Sequence, residues 1–502
     1  MRTNDTPVVP RAAVLFFLLV VPVGAAAETR DYLQYFIEQI DFVNPSHELR
    51  FGAALSHTNR DEYEQADQVL QALLADDNDW KKALTHAQVT ADLGMVKAVQ
   101  GDSDSALSLL NQSIGILERT AGPFDIHLFK PLMARSLVRQ DRNLYEDSED
   151  DLRRAQHLIH RQKGVYSLDQ LPVIDQLTVV KLRNGELVEA DQQQDFNLKI
   201  NEENYGDNSE KLVPVLQKIG AYFASRADMI PLISSGQYGE TSTIPLGDQS
   251  LSMGSYASGM HSTQLVPAGH GDIRQYRQDL FRKSMSLYER AIGIIESKYG
   301  EDDIRLVEPL RGLANARILR GATSSSAGGA EDNLERVVRL VRNDPDTDLP
   351  DLVRALVDLG DLYEITSDGR ADETYLEAWN LLDKPEYGDL RNTLFGTPTR
   401  VLPARRKTIV IDRYPSGAEE GEPLYVDAVY TVRTNGTVSN VDIVDGNVSN
   451  EDKRMVRHYL SNMRYRPRLV DGKPVETEGL MTHQSFDVIE PEPVTEVSVD
   501  VR

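Results

Sequence analysis

Ile114-Gly-Ile-Leu-Glu118, followed by Gly122 and by Leu128-Phe-Lys-Pro-Leu132, returns later in the same chain as Ile292-Gly-Ile-Ile-Glu296, Gly300 and Leu306-Val-Glu-Pro-Leu310. A weaker third copy is Asn204-Tyr-Gly-Asp207 with Leu212-Val-Pro-Val-Leu216. In each, a helix stops at a glycine able to take positive φ, and the next begins near a proline whose missing N–H a first turn does not need. A recurring helix, stop and helix is the signature of stacked helix pairs. Outward from these copies, apolar residues recur at three- and four-residue intervals, as in Val69, Leu70, Leu73, Leu74 and in Leu107, Leu110, Ile114, Leu117. Residues 30 to about 390 therefore read as helix after helix.

Within that frame, Leu93-Gly94 is followed by Ala106 twelve positions after the glycine. Leu359-Gly360, Tyr363, Ala371, Tyr375 and Ala378 repeat the pattern with the turn one residue short. Leu177 with Ala190, and Tyr288 with Ala291, keep parts of it. The spacing resembles tetratricopeptide repeats, whose helix pairs use Leu-Gly on the first helix and small residues on the second to pack backbones closely. Another α-solenoid of helix pairs is the alternative. Both present surfaces that bind proteins. The pattern breaks at 228–272, rich in Ser, Gly, Thr and Gln, which cannot bury enough apolar surface to offset chain entropy and reads as a disordered insert within one helix pair. Thr323-Ser-Ser-Ser-Ala-Gly-Gly329 reads as a smaller loop of the same kind.

After Pro398 the texture changes to alternation. Leu424, Val426, Ala428, Tyr430 and Val432 form one face of a strand, Thr434-Asn-Gly-Thr437 supplies a hairpin turn, and Val438 to Val444 returns. Ser449-Asn-Glu-Asp452 starts a helix carrying Met455, Val456, Tyr459, Leu460 and Met463, and Thr482, Gln484, Phe486 and Val488 form a last strand. At these residues the chain resembles the C-terminal domain of the TonB family. The resemblance covers roughly Lys407 to Glu490 and rests on Tyr414-Pro415 with Ala418, the strand, Asn-Gly, strand hairpin, and Arg464-Tyr-Arg-Pro467 followed by Asp471-Gly-Lys-Pro474.

That resemblance implies a periplasmic module whose exposed sheet edge accepts an extended segment of a protein partner, such as an outer-membrane TonB-dependent receptor or another envelope protein. Main-chain hydrogen bonds then give affinity and flanking side chains give selectivity. The candidate partner-binding residues are Arg413, Tyr414, Pro415, Arg464, Arg466, Thr482, His483, Gln484 and Ser485. Arg413 stands where the family often has a receptor-contacting glutamine, which leaves receptor preference open. Arg464, Arg466, Arg468 and Lys473 are a basic concentration in an acidic protein, with an acidic strand or the acidic helices as the counterpart.

The N-terminus carries Arg2 and Arg11, an apolar run from Ala12 to Val21, Pro22, and the small-residue exit Gly24-Ala25-Ala26-Ala27, the layout of a secretory signal peptide. The organisation is then a signal peptide at 1–27, helical repeats at 28–227, the insert at 228–272, further repeats at 273–395, the TonB-like domain at 405–490 and an acidic tail at 491–502. The fold class is mainly α, an α-solenoid of tetratricopeptide-like helix pairs followed by a small α+β domain.

Lysine and arginine number 54 against 79 aspartates and glutamates, a balance of -25 that repels nucleic acid as a partner. Cysteine is absent, which excludes disulfides, thiolate metal sites and cysteine nucleophiles. No HExxH, GxSxG or Walker sequence occurs, His157 and His160 lack a third ligand and read as solvent-facing, and no cofactor is expected. The expected function is a non-enzymatic periplasmic adaptor that meets membranes only indirectly. The alternative is a TonB-type energy transducer whose N-terminal run stays in the inner membrane.

Overall fold

The computed structural model describes residues 32–76, 83–230, 243–246, 249–252, 273–321, 324–401 and 423–486. The signal-peptide reading of 1–27, the residues Arg413, Tyr414 and Pro415, Val488 and the tail at 491–502 lie outside them. The described chain forms two compact units that divide at Asp151 and Leu152.

The first unit contains α1 (Pro45–Thr58), α2 (Tyr63–Leu74), α3 (Ala83–Val99), α4 (Ser103–Thr120), α5 (Phe129–Asp141) and the start of α6 (Tyr145–Lys163). The first helix begins later than expected. Asn44 accepts the Ser46 N–H and Pro45 occupies the first turn, so residues 36–44 precede the helix without regular structure. α1 packs on α2 and α3 on α4. Gly94 makes the second pairing close, because a Cβ there would sit 3.0 Å from Leu110 Cγ and 3.3 Å from the Ala106 carbonyl oxygen.

The second unit holds the rest of α6, then α7 (Leu171–Arg183), α8 (Leu187–Tyr205), α9 (Val213–Met229), the paired strands β1 (Thr243–Leu246) and β2 (Gln249–Ser252), and α10 (Ile273–Tyr299). It continues with α11 (Val307–Arg320), α12 (Ser324–Asn343), α13 (Leu349–Thr366), α14 (Ala371–Leu381) and α15 (Gly388–Phe395). α7 and α8, α9 and α10, α11 and α12, and α13 and α14 pack as pairs, the arrangement the tetratricopeptide resemblance implies. The repeated connectors have one construction. Gly122, Gly206 and Gly300 take φ of 99°, 80° and 93°, and the side chain of Asp125, Ser209 or Asp303 accepts the N–H two residues on. A proline then sits in the first turn of the next helix or just after it. A fourth copy, unnoticed in the sequence, is Gly164 at φ 94° with Ser167 and Pro172.

Three expectations are corrected. Asp228 and Met229 belong to α9 and Ile230 is buried in the core, so the insert is shorter than 228–272. Within its described residues β1 and β2 pair antiparallel, where the composition reads as structureless; the remainder of the disorder reading lies outside the described residues. Ser324–Gly329 is the beginning of α12 and not a loop, with the Gly329 carbonyl accepting the Arg317 guanidinium at 2.5 Å.

The C-terminal module is in the second unit. β3 (Thr399–Arg400) precedes it and pairs with β6 (Tyr465–Arg466). β4 (Leu424–Val432), β5 (Val438–Gly446) and β9 (Thr477–Phe486) form an antiparallel sheet in the order β5-β4-β9. α16 (Asn450–Ser461) crosses one face, and β7 (Arg468–Val470) pairs with β8 (Lys473–Val475). Leu424, Val426, Ala428, Tyr430 and Val432 all face the core with Val456, Leu460 and Phe486, as the alternation requires. Ser449 caps α16 by accepting the Asp452 N–H at 3.1 Å.

Candidate functional site

A three-stranded sheet has two outer edges, and this one treats them differently. β5 is broken by two register shifts against β4, opposite Asp427/Ala428 and Val429/Thr431, and Asn440 takes φ 49° at the second. Arg457 reaches from α16 and donates from Nε to the Val441 carbonyl at 3.2 Å. Bulges and side-chain caps of this kind prevent a further strand from adding. β9 instead pairs without interruption from Leu480 opposite Tyr430 to Phe486 opposite Leu424. Among the described residues no strand pairs with its other side. Alternate N–H and C=O groups of Leu480 to Phe486 therefore point away from β4 along a regular ladder.

Side chains frame this edge. Phe486 is buried in the module core, and Thr482 and Gln484 lie half-buried on the same face. On the opposite face Met481 is 71% exposed, and His483 Nδ1 lies 2.7 Å from Asp427 Oδ1 while its ring stacks on Tyr425 with centroids 5.3 Å apart. Ser485 stands opposite Tyr425. The edge thus combines an open main-chain ladder with one aromatic and one apolar feature.

The structure brings Thr482, His483, Gln484 and Ser485 together on β9 and places Arg464 and Arg466 away from that edge; the assignment of Arg466, which is buried, to an outside partner is corrected. Arg466 is buried, its Nε 3.7 Å from Asp361 Oδ1 on α13, and its guanidinium lies over the Phe395 ring. Arg464 donates to Ser367 Oγ at 3.1 Å and faces Glu364. The acidic helices are the counterpart of these two arginines. The hairpin tips seat the module on the same helices. A Cβ on Gly436, which has φ 69°, would lie 2.3 Å from Glu364 Oε1, and one on Gly472 would lie 2.8 Å from Leu376 Cδ1. Leu469 joins the apolar core of α13, α14 and α15.

Burial pushes the Asp361 carboxyl up to about 6 and the Glu364 carboxyl up to about 7, while Arg466 and Arg464 pull in the opposite direction. Sequence reasoning missed these carboxylates because helices this acidic offer nothing to single them out. Of the two histidines read as solvent-facing, His157 is exposed, whereas His160 is half-buried with Nε2 against Gln170 Oε1. Among the described residues no cluster of three or more His, Asp or Glu side chains is placed to hold a metal ion.

No family model matches the chain, and no curated protein matches it. Among solved structures it is similar to BtubC from P. vanneervenii, at 15% identity over 56% of this chain and 90% of that one, with a TM-score of 0.33. A Podosopora anserina putative kinesin light chain with TPR-like repeats is 11% identical over 53% of this chain and 100% of that one, at 0.35. A tetratricopeptide repeat protein from Parabacteroides merdae is 12% identical over 70% and 99%, at 0.32. All three scores lie below 0.5.

Proposed function

We propose that the chain is a non-enzymatic scaffold for protein–protein interaction, and that its C-terminal sheet takes up an extended segment of a partner along β9. The observation that carries this is the contrast between the two edges: β5 is bulged and capped, whereas β9 is regular from Leu480 to Phe486 and no strand among the described residues pairs with its outer side. An edge left open where its counterpart is blocked is the arrangement that strand addition needs. The partner class, an outer-membrane receptor segment or that of another envelope protein, is supported by the order of hairpin, helix and final strand that the TonB resemblance implies.

The test is a pair of adjacent proline substitutions, His483→Pro and Gln484→Pro. Neighbouring N–H groups on a strand point to opposite edges, so one proline removes a bond to β4 and the other removes only an outward donor. The variant that keeps a native circular dichroism spectrum should lose binding to a receptor-derived peptide by at least tenfold. Unchanged affinity in that variant sinks strand addition at β9.

The periplasmic setting belongs to the same proposal and is supported by the layout of Arg2 to Ala27. The mature protein is expected to begin near Glu28 and to be released by alkaline extraction. A chain beginning at Met1 that stays with the membrane would replace the adaptor by the energy-transducer reading.

A further inference from the structure

The residues before α1 are held in an unusual way. Leu33–Tyr35 form a single turn, and from Phe36, at φ -57° and ψ 139°, the chain runs to Asn44 without helix or strand. Such a segment has main-chain groups that need partners if buried. Here side chains of the repeat helices supply them. The Ile37 N–H donates to Asp92 Oδ1 on α3 at 2.8 Å, the Phe36 carbonyl accepts Lys130 Nζ from α5 at 2.7 Å, and the Asp41 carbonyl accepts Thr85 Oγ1 from α3 at 3.1 Å. Tyr32, Tyr35, Phe36 and Ile37 are buried, and Phe51 of α1 meets the rings of Phe36 and Phe42 at 6.0 and 5.3 Å.

This is how a receptor surface holds an extended peptide: aromatic and aliphatic anchors fill pockets while side chains of the receptor read the backbone. Ile40 and Phe42 turn inward, and Glu38, Gln39, Asp41 and Val43 turn out, so the segment has a bound face and a solvent face. Asp92 adds an independent sign. It is completely buried, yet its Oδ2 atom has no hydrogen-bond partner, a polar group placed for the segment and left half used by it.

We propose that the surface formed by α1, α3 and α5 is a binding site for an extended peptide, filled in this state by the chain's own Tyr32–Val43. A partner for this site is a non-helical segment with adjoining aromatic and aliphatic residues, like Tyr35-Phe36-Ile37, and must displace the resident one. This interaction surface is separate from the β9 edge, and its success or failure leaves the C-terminal reading untouched.

The test uses the full chain with a specific protease site inserted after Val43, ahead of the Asn44 cap. After cleavage under native conditions, the freed segment should leave on dilution while the helical signal of the remainder persists. A fluorescent Tyr32–Val43 peptide should then bind the emptied protein, and the same peptide methylated on the Ile37 nitrogen should bind about tenfold more weakly, having lost the bond to Asp92. In the uncleaved chain the labelled peptide should bind far more weakly than in the cleaved one. A segment that separates only when the helices unfold is a piece of the core and overturns the proposal. Equal binding of the methylated and unmethylated peptides overturns it as well.

Discussion

Tyr288 shows what the glycines of the helix pairs do. Its buried ring lies between α9 and α11, where a Cβ on Gly220 would meet it at 3.0 Å and one on Gly312 at 2.1 Å. The second distance is far inside van der Waals contact, and an aromatic ring in a packed core has nowhere to retreat. Gly312→Ala should therefore cost about 1–3 kcal/mol, and Gly220→Ala clearly less. Urea denaturation of the two variants checks the order; equal midpoints would show that the ring moves freely. Gly94 and Gly360 were legible in the sequence because Leu-Gly followed by a small or aromatic residue at fixed spacing leaves a trace. Gly312 was not, since its partner Tyr288 is on the preceding helix and no local period links them. The same holds for Arg466 and Asp361, which are far apart in the chain and were found only through the fold.

At the scale of elements, the junction between α13 and β6 has a pH dependence that the geometry fixes in sign. Asp361 faces Arg466, Tyr375 and Asp358, and Glu364 faces Arg464, Asp372 and Asp361; Asp358 in turn meets Arg311, Arg466 and Glu308. Tyr375 donates its hydroxyl to Asp361 Oδ1 at 2.8 Å. With folded values near 6 and 7, both carboxyls hold protons more tightly in the native state than in the unfolded chain. Their stabilising contribution is complete below the ordinary carboxylate range of about 4 and is lost as pH rises through 6 to 7. The Asp361→Asn, Glu364→Gln double variant keeps the hydrogen-bonding shape and removes the titration. Between pH 5 and 8 the native protein should lose on the order of 2 kcal/mol more stability than this variant, read from melting curves. Parallel pH profiles would show that these carboxyls titrate normally. The strands and helix of the module were readable because alternation and a Ser cap are local signals. Its seating on α13 to α15 was not, and neither was the helical start of α12, where Ser324–Gly329 has loop composition but extends a helix held by its strongly apolar later turns.

Across the whole molecule the question is how a chain of 502 residues tolerates a long polar excursion between two helices that pack as a pair. The described residues around that excursion close without it. Arg277, buried in α10, donates from Nε to the Ile230 carbonyl at 3.1 Å and from Nη2 to the Leu319 carbonyl at 3.1 Å, so the point of departure is tied to the point of return. Asp191 on α8 then accepts from the Tyr222 hydroxyl at 2.7 Å and Arg226 Nε at 3.1 Å on α9, and from the Tyr276 hydroxyl on α10. Ile230 and Tyr276 complete an apolar core with Phe223, Leu280 and Phe281. Because loop-closure entropy grows only with the logarithm of length, shortening a connection whose ends are already joined changes stability by about 1 kcal/mol or less. Replacing Ser234 to Gly269 by a short Gly-Ser linker should leave the melting temperature within about 3 °C of the native value and keep the helical signal. A fall of about 10 °C would mean that the excursion contributes packing of its own, and that α9 and α10 depend on more than the contacts that join Ile230 to Arg277.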